Sequence, residues 1–139
     1  MIGAFTLSEL ASELGLSVTL SALKKDATFS AVTTDSRNMS AGDLYVALKG
    51  ERFNGDEFVE EALTKGAVAA VTHQSDAQAD AQRLVVDDTL SALATLARLN
   101  RDRSSAKVIA LTGSQGKTSV KEMIGSILKA KAPTLITAE

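Results

Sequence analysis

Residues 107–119, Lys-Val-Ile-Ala-Leu-Thr-Gly-Ser-Gln-Gly-Lys-Thr-Ser, constrain the fold more than any other stretch of this 139-residue chain. An apolar run ends in a turn bracketed by Gly113 and Gly116, and Gly116-Lys117-Thr118 then opens a helical pattern. Strand, loop and helix in that order predict α/β layers. The same order suits a phosphate. Glycines let backbone N–H groups approach an anion, and a helix start adds unpaired donors at the positive end of its dipole. In such a loop Lys117 reaches the β/γ-phosphates, and the Thr118 hydroxyl ligates Mg²⁺. The standard spacing G-x-x-x-x-G-K-[ST] is not met, because Leu111 stands five residues before Gly116 and the loop reads G-x-x-G-K-T. A glycine-rich helix start without any ligand is the competing reading.

Upstream, Thr6 and Glu9 form a capping box for a helix over 7–14, with Leu7, Leu10, Ala11 and Leu14 on one face and Gly15 at its end. Residues 29–34 and 43–48 have strand composition, and Ser40-Ala41-Gly42-Asp43 supplies the turn between them. Asp56 is expected to cap a helix carrying Phe58, Val59, Ala62 and Leu63 that ends at Gly66. Val68–Thr72 and Arg83–Val86 are further strands, separated by a polar, alanine-rich segment from His73 to Gln82. Asp88 caps the next helix, with Leu90, Leu93, Ala94 and Ala97 expected on its apolar face. Asn100 to Ala106 reads as a linker. Beyond the glycine loop, Val120, Met123, Ile124, Ile127 and Leu128 recur with helical period, and Thr134–Thr137 resembles the start of another strand. One strand, one helix and a strand stub cannot bury a parallel sheet. The sequence therefore reads as one complete domain, 1–103, followed by the beginning of a second, 104–139. The helix stripe otherwise needs the first domain or another chain as its cover.

Bulk properties narrow the classes. An apolar fraction of 45% supports a globular core. There is no secretory h-region and no apolar run long enough for a membrane span, and no cysteine offers a disulfide, thiolate or metal ligand. A cytoplasmic protein fits these features. Residues 1–97 carry 7 Lys/Arg against 14 Asp/Glu, a net −7, whereas residues 98–139 carry 8 against 3, a net +5. Positive charge thus gathers around the glycine loop, where a nucleotide would benefit from it; solvated helix faces are the alternative reading. An acidic pI of about 5.4 and few aromatics argue against nucleic acid as a partner. His73, the only histidine, reads as a surface residue without a partner, and Tyr45 as packing.

Several stretches resemble the Mur ligases, ATP-dependent enzymes that extend the UDP-linked peptidoglycan precursor. Thr34-Asp35-Ser36-Arg37, Gly42–Gly50, Asn54-Gly55-Asp56-Glu57-Phe58 and Gly66–Val71 are similar to that family's N-terminal UDP-binding domain. Thr112–Ser119 is similar to its shortened P-loop, which also lacks the first glycine. The resemblance implies an α/β fold: a small UDP-binding domain, then the first strand–P-loop–helix unit of a truncated ATPase domain. Ala47–Phe53 and Lys117–Met123 are most similar to the branch that adds D-alanyl-D-alanine to UDP-MurNAc-tripeptide. A sibling adding diaminopimelate or lysine, or a nucleotide-sugar binding module without chemistry, stands as the alternative. The folate-polyglutamate ligases share the P-loop but are not expected to carry the Asp35-Ser36-Arg37 domain.

The resemblance also assigns roles. Thr34 and Ser36 match positions that contact the uridine nucleotide, and Glu51, Arg52 and Phe53 match the lining of the uracil pocket. Arg37 or Arg52 is suited to meet phosphate. Local pairing of Asp35 with Arg37, and a core position for Phe53, are the plainer alternatives. Gly113, Ser114, Gln115, Gly116, Lys117, Thr118 and Ser119 would hold ATP, with Lys117 catalytic and Thr118 on Mg²⁺. Further metal ligands, the carbamylated lysine and the residues selecting the incoming amine have no counterpart within 139 residues. The expected parent is monomeric, and this chain alone is expected to be inactive and able to self-associate.

Overall fold

The computed structural model describes residues 4–16, 27–73 and 82–137. The chain divides into two compact units, Met1–Ser104 and Ser105–Glu139.

In the first unit, β3 (Val32–Thr33), β4 (Leu44–Val46), β5 (Ala69–Thr72) and β6 (Arg83–Val85) form a parallel sheet in that order. Its register pairs Val32 with Leu44, Tyr45 with Ala70 and Val71 with Leu84. Side chains alternate across a strand, so one set of residues serves each face. Leu44, Val46, Ala69, Val71 and Leu84 pack with α1 (Leu7–Glu13) and α3 (Thr89–Arg103) through Leu7, Leu10, Ala92 and Leu96. Tyr45, Ala47 and Ala70 pack with Val59 and Ala62 of α2 (Val59–Thr64). Both faces are covered, which is why β4, and β5 as far as Val71, are apolar in succession rather than alternating. A short antiparallel pair, β1 (Phe5–Thr6) with β2 (Thr28–Phe29), adds Phe5 and Phe29 to the first core, their rings stacked at 5.8 Å.

Two helix starts follow the sequence signals. Thr6 Oγ1 accepts from Glu9 N at 3.1 Å while Glu9 Oε2 accepts from Thr6 N at 2.9 Å, the reciprocal capping box. Asp88 Oδ1 accepts from Leu90 N and Ser91 N.

Other expectations are corrected. The 29–34 segment is not one strand: Phe29 pairs with β1 and Val32 with β4, so the chain changes sheets at Ser30–Ala31. Asn54, not Asp56, caps the turn after β4, its Oδ1 accepting from Asp56 N at the start of a 3-10 turn, Gly55–Phe58. The buried face of α3 is Thr89, Ala92 and Leu96 with Leu93 half-buried; Leu90, Ala94 and Ala97 are exposed. Thr89 reads as polar, but it is buried, and its hydroxyl is satisfied by donating to Ala47 O at 2.7 Å. The expected linker begins late, because α3 continues to Arg103. There the guanidinium donates to Ala4 O (3.0 Å) and Glu9 Oε1 (2.8 Å) and lies 4.0 Å over the Phe5 ring. Most of the polar 73–82 segment lies outside the described residues.

In the second unit, α4 spans Lys117–Lys129. Residues 107–111 are neither helix nor strand, and 134–137 likewise. A strand exists only against a partner ladder, and no such pairing occurs in this unit among the described residues. The 134–137 segment instead turns back along α4: Lys121 Nζ donates to Thr137 O at 2.7 Å, and the Ile136 side chain lies over Gly125, where it would have to move to admit a Cβ. Val120, Met123, Ile127 and Leu128 stay exposed, and Ile124 is half-buried.

Candidate functional site

In a parallel sheet every strand ends at the same edge, and ligands of open α/β sheets bind outside those carboxyl ends. Neighbouring strands stand about 4.8 Å apart, so the loops leaving β3 and β4 rise side by side. These are the segments Thr34–Arg37 and Lys49–Asn54.

After β3, Thr33 Oγ1 donates to Asp35 O and accepts from Asp35 N, and Asp35 then caps a 3-10 turn, Ser36–Asn38. Arg37 grips Asp35 with two bonds, Nε to Oδ1 at 2.9 Å and Nη2 to Oδ2 at 2.8 Å. These bonds from the guanidinium hold the Asp35 carboxyl down to about 2. The local pairing is thus real, yet the Arg37 side chain remains 83% exposed and open to an anion. Ser36 is buried, and its carbonyl accepts from Lys65 Nζ at 2.9 Å. Thr34 is half-buried beside it.

After β4 the chain makes a tight hairpin. Lys49 bridges Asn54, Gly50 N donates to Phe53 O at 2.8 Å, and Gly55 N donates to Leu48 O at 2.8 Å. The stems approach so closely that a Cβ on Gly55 would meet Leu48 O at 2.7 Å and Ala47 C at 2.9 Å, so only glycine fits. Glu51 and Arg52 stand exposed at the tip. Phe53 is not core: it is 46% exposed, with its ring stacked on Phe58 at 5.6 Å. A half-open aromatic backed by a second ring suits a flat heterocycle.

Behind the hairpin lies a polar network the sequence reading missed. Asp56 accepts from Thr72 Oγ1 at 2.6 Å and from His73 N at 3.2 Å, and its Oδ2 lies 3.0 Å from His73 Nδ1. His73 Nε2 lies 3.3 Å from Thr89 Oγ1. Burial opposes the charge on Asp56, but the bonds from Thr72 and His73 outweigh it and lower its pKa. His73 is therefore a partnered, half-buried residue rather than a free surface one. The signal available was Thr72, a polar residue closing an apolar strand.

In the second unit Gly113, Ser114, Gln115, Gly116, Lys117, Thr118 and Ser119 are all exposed. Gly116 sits at φ +76°, a left-handed conformation natural to glycine, and begins α4 without a side-chain cap. Lys117 Nζ donates to Gly113 O, so the ammonium folds back over its own loop. A helix start with no side-chain cap, small residues and a lysine over the loop is a donor set that fits phosphate. Thr118 is exposed in that first turn. No group of three His, Cys, Asp or Glu able to hold a metal occurs among the described residues.

Comparison with known proteins gives the relationship. Residues 28–101 match the model of the Mur ligase family, catalytic domain. The chain belongs to the Mur ligase family. Among its Mur ligase relatives, the UDP-N-acetylmuramoyl-tripeptide–D-alanyl-D-alanine ligase of Escherichia coli K12 is 47% identical over 113 residues, 81% of this chain and 25% of that protein. A crystal structure of MurF from Acinetobacter baumannii superposes with a TM-score of 0.81 at 38% identity, covering 99% of this chain and 30% of that one. MurF of Thermotoga maritima, solved in complex with ADP, gives 0.66 at 37% identity over 73% of this chain and 23% of its own. The chain thus spans about a quarter of the length of the curated relatives it matches.

Proposed function

We propose that this chain is the substrate- and nucleotide-binding start of a cytoplasmic ligase that joins D-alanyl-D-alanine to UDP-MurNAc-tripeptide. The observation that carries the reading is the pairing of the Thr34–Arg37 and Lys49–Asn54 loops at one sheet edge, in a chain similar to MurF over nearly its whole length. Residues 1–103 act as the uridine-binding domain and 104–139 as the opening of an ATP-binding domain. Phe53 stacks on uracil, Glu51 and Arg52 line the same pocket, Thr34 and Ser36 meet the nucleotide, and Arg37 faces a phosphate.

In the proposed reaction the terminal carboxylate of the tripeptide attacks the γ-phosphorus of ATP, and ADP leaves. The amine of the dipeptide then attacks the resulting acyl phosphate; the C–N bond forms, the C–O bond to phosphate breaks, and the amine loses its proton. Lys117 neutralises the γ-phosphoryl oxygens as charge shifts, while Gly113–Ser119 hold the phosphates through backbone N–H groups. Mg²⁺, when bound through Thr118, supplies further charge neutralisation on those phosphates.

Titration with UDP-MurNAc-tripeptide and with ATP–Mg²⁺, followed by NMR, tests the two halves separately. Shifts at Ser36, Arg52 and Phe53 with the first ligand, and at Gly116 and Lys117 with the second, are expected. No shift at Ser36 or Arg52 at millimolar UDP ligand refutes the uridine site. Binding of the first ligand alone favours a nucleotide-sugar binding module. Phosphate release by the 139-residue chain alone is expected to stay at background, because acyl transfer needs all reactants held in attack geometry.

A further inference from the structure

We infer that His73 is a positioning residue for the candidate uridine site: its ring bridges the two stems of the Lys49–Asn54 hairpin and so fixes Glu51, Arg52 and Phe53. The inference rests on the reading of that hairpin as ligand-binding. One stem leaves β4 through Ala47, whose carbonyl accepts from Thr89 Oγ1 at 2.7 Å. The other stem runs through Gly55 and Asp56, and the Asp56 carboxylate is 3.0 Å from His73 Nδ1. With His73 Nε2 at 3.3 Å from Thr89 Oγ1, the ring closes a circuit from Ala47 through Thr89, His73 and Asp56. Tyr45 Oη donates to Gly55 O at 3.0 Å and anchors the second stem from below.

The single hydroxyl proton of Thr89 goes to Ala47 O, which leaves Thr89 Oγ1 and the Asp56 carboxylate facing the two ring nitrogens. Among the described residues, the carboxylates of Asp56 in the 3-10 turn and Asp88 at the start of α3 carry charge near the ring. Asp56, Thr72 and Thr89 are all buried, so a broken link leaves polar groups without water to replace it.

The test uses the full chain with His73→Ala and His73→Asn; asparagine keeps a donor near the Nδ1 position and restores the Asp56 arm. Amide exchange at Gly50 and Gly55, whose N–H groups bond Phe53 O and Leu48 O, reads the hairpin without ligand. Leu7 and Leu16 amides, bonded to Ala27 O and Ala11 O, serve as controls. In the alanine variant, exchange at Gly50 and Gly55 is expected to quicken about tenfold over the controls, and UDP to bind up to about tenfold more weakly. His73→Asn is expected to recover most of both. Hairpin exchange that matches the controls, or a uniform acceleration across the unit, overturns the inference. A hairpin that loosens in a chain whose wild type shows no UDP shift upholds the bridge and removes the uridine reading instead. If His73→Ala does not fold, His73→Asn against wild type decides by the same amides.

Discussion

Gly55→Ala should be among the most damaging single-methyl changes in the first unit. The added Cβ would stand 2.7 Å from Leu48 O, 2.8 Å from Leu48 N and 2.9 Å from Ala47 C, all backbone atoms of the opposite stem. No rotamer change relieves such a clash, so the stems must part. Overpacking of this kind costs about 1–3 kcal/mol. Separation also breaks the Gly55 N to Leu48 O bond and strains the Tyr45 Oη to Gly55 O bond, at about 1 kcal/mol each. The total is about 3–5 kcal/mol. With a urea m-value of about 2 kcal/mol/M, the midpoint should fall by about 1.5–2.5 M. Gly50→Ala, five residues away in the same hairpin, meets nothing within 4 Å and should stay within about 0.5 kcal/mol of wild type. Equilibrium urea unfolding followed by circular dichroism measures both variants. Equal midpoints for Gly55→Ala and wild type would refute the close approach of the stems, and with it the hairpin geometry on which the candidate uridine site depends.

Leu96→Ala, on the buried face of α3, should cost about 2–5 kcal/mol, whereas Leu90→Ala, on the exposed face, should change stability by less than about 0.5 kcal/mol by the same unfolding assay. Asp35 is held at about 2 by Arg37, below its unfolded value of 3.8. This depressed carboxyl contributes stability that is fully present above the unfolded value and is lost as pH falls from there through about 2. Arg37→Ala should raise the NMR-titrated Asp35 pKa, and an unmoved titration would remove the pairing as its cause. The exposed Val120, Met123, Ile127 and Leu128 should make the chain self-associate with rising concentration in light scattering, and Met123→Lys with Ile127→Lys should suppress it. A wild type that stays monomeric at every concentration contradicts this.

What could be read from the sequence was local. The Thr6–Glu9 box and the Asp88 cap are contacts within three residues, so their spacing is visible in the chain itself. The apolar content of Leu44–Val46 and Ala69–Thr72 likewise marks strands covered on both faces. Apart from the Asn54 cap, a contact two residues long, the errors share a cause, which is partners far away in sequence. His73 depends on Asp56, 17 residues earlier, and Thr89 on Ala47, 42 residues earlier. A hydroxyl satisfied across that gap sits in the core. The break at Ser30–Ala31 is also nonlocal, since only the identities of the two partner strands reveal it. In the candidate site, the loops were legible from motif and the support beneath them was not.

Arg103 has a consequence for how the first unit comes into being. Its guanidinium joins Ala4 O, Glu9 and the Phe5 ring, so the last residues of α3 close over the first strand and helix. On a ribosome adding roughly 5–20 residues each second, the start of the chain waits about 5–20 s for that partner. Until then one face of the Phe5 ring has no cation over it, and Glu9 has only its own helix cap. The unit is therefore assembled last-to-first at this seam. A nascent chain stalled before residue 103 should hold its β1 and α1 region open to proteases and chaperones that the released protein excludes.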